Sequence, residues 1–394
     1  MSLRTISFMG LLIFLMSLGE GAVTPAIPLY GDALGASYSQ LGFFMTGYSI
    51  AYTLMTVTAG IISDKIGRKS ILLLSIGLSV IASLGYYYSA TPVALLCFRT
   101  LEGASRGILW PLAEAIVADN TTGEARSKVM GRFTATYGLG AVVGTLSGGY
   151  IMQHYNITAV FPIYPLLGLL VLGTSLYGIT DKSTKQHAHH GFLGLSAGVG
   201  IGHEIKKIWP VCLGGFAYAG FLYSIWGLLP RIADYVGARP QQIGYLFALF
   251  WGTRLVSFIA CGEAASVLGR KKLLLIGTSF VILSTAAFFV ASDFGHLMLA
   301  AAAGGIGTGI MFTITITLVA DLISPACLGF GMGFLEFSMG IGMILQTTLS
   351  GIIGEAMGIN YTYLFVFVVA AVAFIAVLFY LPADQQGYYK NVKG

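Results

Sequence analysis

Seven charged residues stand inside stretches that are otherwise apolar: Glu20, Arg99, Glu102, Arg106, Glu114, Arg254 and Glu336. A charge at the centre of a bilayer costs roughly 2.5–3.5 kcal/mol on insertion scales, so each points to a partner or a wetted cavity. Arg99, Glu102 and Arg106 fall within a sector of about 60° over two helical turns. Glu102 has an arginine on either side to pair with, which leaves net positive charge at mid-depth. A carboxylate beside an arginine can couple proton uptake to binding, because protonation changes the local charge felt by a charged guest. The plainer alternative is a salt-bridge network that only joins helices. Trp110, Tyr137, Tyr164, Tyr218, Tyr223, Trp226 and Trp251 are candidates to line a cavity for an amphipathic or cationic molecule. Packing and interfacial anchoring are the alternative roles for such aromatics.

The elements that carry these residues are apolar runs. Hydrophobic residues make up 56% of 394 and charged residues 9%, with a mean hydropathy of +0.83. Soluble domains carry about 25% charged residues, so the deficit predicts a surface facing lipid. Twelve runs are read near 6–30, 40–62, 71–89, 92–118, 130–152, 158–180, 208–230, 241–262, 273–291, 296–320, 330–353 and 361–381. Each approaches the length of about 20 residues that spans a membrane. The first run is read as a retained span, since Glu20 interrupts it, Pro25 and Pro28 follow, and no A-x-A site appears. With the N-terminus cytoplasmic, the inner loops collect Arg4, Lys65, Arg68, Lys69, Arg126, Lys128, Lys182, Lys185, Lys206, Lys207 and Arg270 to Lys272, against Arg231 and Arg239 outside. This asymmetry predicts both termini inside. The net charge of +5 therefore reflects topology, and no nucleic-acid partner is implied. Cys97, Cys212, Cys261 and Cys327 are isolated and read as packing residues.

The chain repeats itself at a constant separation of 202 residues. Pro28 falls on Pro230, Asp32 on Asp234, Gly35 on Gly237, Gln40 on Gln242, Gly67 on Gly269, Arg68 on Arg270, Lys69 on Lys271, Gly103 on Gly305, Asp119 on Asp321 and Gly140 on Gly342. The expected architecture is all-α, with two six-helix bundles over 1–180 and 207–394 joined by a polar linker, 181–206. Two such parallel repeats with a site between them near the midplane is a known transporter plan. In the linker, His187, His189 and His190 read as a solvated cluster, and no metal site is expected.

The segment Gly60-Ile-Ile-Ser-Asp64-Lys65-Ile-Gly67-Arg68-Lys69 resembles the major facilitator superfamily signature G-x-x-x-D-[RK]-x-G-R-[RK]. The second half repeats it as Gly262-Glu-Ala-Ala-Ser266-Val-Leu-Gly269-Arg270-Lys271, with Ser266 in place of the aspartate. The resemblance covers essentially the whole chain. It implies that Gly60, Asp64, Gly67, Arg68, Lys69 and Asp119 form a conformational latch, with Arg68 reaching Asp119. It also implies that the first helix crosses the fourth, bringing Glu20 to the arginines, and that the protein is a monomer. Leu96-Cys-Phe-Arg99-Thr-Leu-Glu102-Gly103 is similar to the family's R-x-x-Q-G element, with Glu102 in place of Gln. Gly140-Ala-Val-Val-Gly144-Thr145-Leu-Ser-Gly148-Gly149 resembles the drug–proton antiporter motif G-x-x-x-G-P-x-x-G-G, with Thr145 in place of Pro.

Charges without a counterpart in the other half are the functional candidates: Glu20 faces Leu222, Arg99 Ala301, Glu102 Gly304, Arg106 Thr308, Glu114 Ile316, Arg254 Tyr52 and Glu336 Thr134. The leading expectation is a proton-coupled transporter of the plasma membrane that exports amphipathic or cationic small molecules. Glu20, Arg99, Glu102, Arg106 and Glu114 would handle the proton. Trp110, Tyr137, Tyr218, Tyr223, Trp226, Trp251, Arg254 and Glu336 would line the substrate cavity. No cofactor is expected beyond the proton gradient. Uptake or facilitated transport of an organic anion, sugar or lipid is the alternative, favoured by the arginines. A non-transporting scaffold or receptor is the alternative of another class. An enzyme is not expected, since the sequence holds no nucleotide-binding loop, metal cluster or nucleophile–base set.

Overall fold

The computed structural model describes residues 3–121, 124–178, 201–324 and 327–382. Gly60 and Asp64 lie on α3 with only their backbone described, and linker residues 181–200, with their three histidines, lie outside the described residues. Thirteen α-helices follow in order: α1 Leu3–Val23, α2 Ala26–Ala33, α3 Tyr38–Ile66, α4 Arg68–Tyr88, α5 Pro92–Asp119, α6 Glu124–His154, α7 Ile163–Gly178, α8 Ile201–Tyr235, α9 Pro240–Leu268, α10 Arg270–Phe289, α11 Phe294–Leu322, α12 Leu328–Met357 and α13 Leu364–Tyr380. No strand occurs among the described residues.

α1 and α2 are one crossing interrupted at Thr24 and Pro25. The run expected to be continuous over 6–30 breaks there because Pro25 and Pro28 lack the N–H that the preceding turn requires. Twelve helical crossings result. Among the described residues, nine segments are long and apolar enough to span a membrane on length and composition alone. α5 misses that standard because its buried charges fall in every membrane-length window. α6 misses it because it is rich in Gly, Ser, Thr and Tyr.

The repeat seen in the sequence is also a repeat of conformation. Gly35 and Gly237 both adopt φ 86°, and Gly67 and Gly269 adopt φ 99° and 82° at the turns between α3 and α4 and between α9 and α10. Lys69 Nζ donates to the Leu176 carbonyl at 2.9 Å, and Lys271 Nζ to the Leu378 carbonyl at 2.9 Å. Arg68 pairs with Asp119 as Arg270 pairs with Asp321. The Gly67 and Gly269 turns mark one end of the bundle, called here the signature end.

The halves meet along two equivalent seams, α3 against α12 and α6 against α9. Both close through glycine pairs near the other end. A Cβ on Gly149 would stand 2.9 Å from Gly244 Cα, and one on Gly42 would stand 3.1 Å from Gly351 Cα. Small residues let helix backbones approach this closely. Polar contacts across the halves gather at the same end: Arg231 Nε lies 3.0 Å from Asp32, and Glu355 accepts from Ser37 Oγ at 2.8 Å and Ser39 N at 2.9 Å.

Candidate functional site

Inside the closed seams lies a cavity of about 360 Å³ that reaches from mid-depth toward the signature end. Its wall includes Glu20 from α1, Tyr48, Tyr52 and Thr56 from α3, Arg106, Trp110 and Glu114 from α5, and Tyr137 from α6. The second half supplies Tyr218, Leu222, Tyr223 and Trp226 from α8, Trp251, Arg254 and Phe258 from α9, Phe312 from α11, and Glu336, Met339 and Met343 from α12.

Glu20 and Arg106 form a buried ion pair between α1 and α5, with side chains 6% and 5% exposed. The position of α1 depends on the glycine-rich run of α6. A methyl group on Gly144 or Gly148 would collide with the carbonyls of Leu18 and Ala22, on either side of Glu20. The segment that resembles the antiporter motif thus seats the helix that carries the carboxylate.

Arg99 and Glu102 do not reach the cavity. They pair with each other, fully buried, and Glu102 also accepts from the Tyr86 hydroxyl of α4. Arg99 lies 4.5 Å from the centre of the Tyr48 ring, so Tyr48 stands between this pair and the cavity. The expectation of net positive charge on α5 is corrected by this arrangement. Arg99 takes Glu102, Arg106 takes Glu20, and the four charges sum to zero. Tyr164 also leaves the cavity set, because its fully buried ring packs on α1 at Gly19.

The second half is different. Arg254 is 5% exposed, and its Nη2 donates to Tyr218 Oη at 2.6 Å. Its guanidinium centre lies 4.9 Å from the Trp251 ring, 5.2 Å from Phe258, 5.6 Å from Tyr218 and 5.9 Å from Phe312. It has no carboxylate partner among the described residues, and Nε and Nη1 have no hydrogen-bond partner. Cation–π contact supplies about 2 kcal/mol when desolvated, less than the several kcal/mol it costs to bury an ion. Glu114, half-buried, and Glu336, exposed, come from opposite halves into electrostatic reach of each other. Neither has an ion-pair partner among the described residues.

Aromatic rings join these charges into one wall. Trp110 meets Tyr137 at 5.0 Å, Tyr137 meets Trp251 at 5.4 Å, Trp251 meets Trp226 at 6.0 Å and Trp226 meets Tyr223 at 4.9 Å. Tyr223 meets Tyr48 at 5.8 Å, and Tyr48 meets Tyr52 at 6.2 Å. The chain of rings crosses between the halves twice. Sequence reasoning missed Tyr48, Tyr52, Phe258 and Phe312. The available signal was positional: Tyr52 is the repeat counterpart of Arg254, and Phe312 that of Trp110.

Two repeated bundles of apolar helices, closed at one end over a charged aromatic cavity, make a membrane transporter for small molecules rather than an enzyme. The chain belongs to the Major Facilitator Superfamily, whose family model matches residues 9–203 and 211–393. It is 25% identical to Multidrug resistance protein 2 of Bacillus subtilis over 379 residues, which is 90% of this chain and 89% of that protein. It is 29% identical to the multidrug transporter protein MdtP of the same organism over 231 residues, and that match spans 58% of this chain and 42% of MdtP. Among solved structures, the nucleoside transporter NupG superposes with a TM-score of 0.81 at 14% identity, over 98% of this chain and all of that one. At that identity the likeness shows the fold alone.

Proposed function

We propose that the protein is a proton-coupled antiporter that exports amphipathic cations by alternating access of its two halves. The Glu20–Arg106 pair at the cavity wall carries this reading. While Glu20 is ionised, Arg106 is neutralised and the cavity is governed by Glu114 and Glu336, which attract a cation. When Glu20 takes a proton, the charge of Arg106 is released into the wall and repels that cation. Proton and substrate then exclude each other, which is the condition for antiport. Two Bacillus relatives named as multidrug proteins support the choice of substrate.

The excess of Lys and Arg in the loops supports a cytoplasmic signature end and cytoplasmic termini, and the membrane proposed is the plasma membrane. The conformation with its seams closed at the other end is then inward-facing. The pairs Arg68–Asp119 and Arg270–Asp321 lie within their own halves and bias the equilibrium between states. The transporter works as a monomer, without a cofactor, on the proton gradient.

Arg254 favours a second reading, proton-linked uptake of an organic anion, because its free guanidinium nitrogens can fork onto a carboxylate. Proteoliposomes with a trapped pH-sensitive dye separate the two. A lipophilic cation gradient should drive protons in the opposite direction. Proton movement alongside an anion, with no response to cations, would replace export by uptake.

A further inference from the structure

The cavity holds two kinds of unpaired charge at different depths. Counting 1.5 Å per residue, Arg254 lies roughly 20 Å along α9 from its signature end, and Glu114 roughly 8 Å along α5 from the same end. Glu336 stands near the start of α12, on the side of Glu114. An anion-seeking group and a pair of cation-seeking groups are thus separated along the cavity axis by on the order of 10 Å. Aromatic faces line the wall between them. Glu20 and Arg106 neutralise each other and do not compete for a guest.

The two poles complement a molecule of one kind. A cation alone would satisfy Glu114 and Glu336 and leave Arg254 buried among rings, with the Tyr218 hydroxyl but no counter-charge. An anion alone would satisfy Arg254 and leave two carboxylates to repel it. We infer that the preferred substrate is a zwitterionic amphiphile, with a flat apolar body, a protonated amine held at Glu114 and Glu336, and a carboxylate held at Arg254. The inference rests on the reading of this cavity as the substrate site, and it turns Arg254 from a contradiction of the export reading into a determinant of specificity.

Binding to the full-length protein in lipid nanodiscs tests this with three matched probes. These are a biphenyl bearing an aminomethyl group at one end and a carboxylate at the other, its methyl ester and its N-acetyl form. Three of the four tryptophans, Trp110, Trp226 and Trp251, line the cavity and report occupancy by fluorescence. Wild type should bind the zwitterion about tenfold or more tightly than either the ester or the N-acetyl form, the scale of one charge-assisted contact. Arg254→Gln should lower affinity for the zwitterion and the N-acetyl form about tenfold and raise that for the ester. Glu336→Gln should weaken the zwitterion and the ester and strengthen the N-acetyl form. Arg254→Lys, which keeps the charge and loses the fork, should fall between wild type and Arg254→Gln, and this ordering separates a charge effect from misfolding. Ester binding as tight as zwitterion binding in wild type would overturn the inference and leave the cation-export reading standing. Equal loss of all three ligands in Arg254→Gln and Arg254→Lys would also overturn it. Absence of binding by any probe would overturn both the inference and the assignment of this cavity as the substrate site.

Discussion

Glu20 and Leu222 occupy equivalent places on the first helices of the two halves, and both face the cavity. The same is true of Tyr52 and Arg254, Thr56 and Phe258, Trp110 and Phe312, Glu114 and Ile316, Thr134 and Glu336, and Tyr137 and Met339. The wall is symmetric in position and asymmetric in chemistry. In the first half, four mid-depth charges close into two buried ion pairs. In the second, Arg254 meets aromatic rings and a hydroxyl and has no carboxylate partner among the described residues. Repetition gives the two halves one architecture. Departures from repetition place the charges on the cavity wall.

Thermal unfolding of single variants should break this comparison open most widely. Arg106→Met leaves the Glu20 carboxylate buried without its partner and should cost about 3–5 kcal/mol. Arg254→Met replaces a buried, unpaired cation by an apolar side chain of similar length. In the absence of substrate it should leave stability nearly unchanged or raise it, because the desolvation cost it removes exceeds the cation–π gain it loses. Equal destabilisation by both would mean that Arg254 has a structural partner and that the halves do not differ as described.

A smaller effect is expected at the seams, where the two halves are alike. Gly149→Val and Gly42→Val each push a side chain into the facing glycine, at a cost of about 1–3 kcal/mol to the closed end. Each should raise the labelling of a cysteine placed at Ser37 by a membrane-impermeant thiol reagent added from outside. Different responses at the two seams would show that the halves do not share one closing motion.

Much of the scaffold was legible in the sequence, because the residues that mark it are chemically rare in apolar helices. Gly67, Arg68, Lys69 and Asp119 recur 202 residues later, and each recurs with the corresponding positive φ, ion pair or carbonyl contact. The candidate site was legible in its members and less so in its pairings. Glu102 is four residues from Arg106 and three from Arg99, and helical spacing permits either contact. The choice is made by α1, which the glycines of α6 hold against the bundle so that Glu20 claims Arg106. Tertiary approach of this kind leaves no periodic trace. Tyr48 and Tyr52 were hidden for a similar reason, since an aromatic on a spanning helix reads the same whether it faces lipid, neighbour or cavity.

Proton flux in proteoliposomes, comparing wild type with Glu20→Gln under an imposed gradient of a lipophilic cation, tests the role of the buried pair most directly. The glutamine keeps the size of the side chain and removes the titrating group. The expected result is loss of proton counterflow, with the variant still folded and its cation binding by tryptophan fluorescence weakened, because Arg106 is left without its counter-charge in the cavity wall. Proton counterflow at the wild-type rate in Glu20→Gln would contradict the assignment and move the coupling to another carboxylate of the cavity.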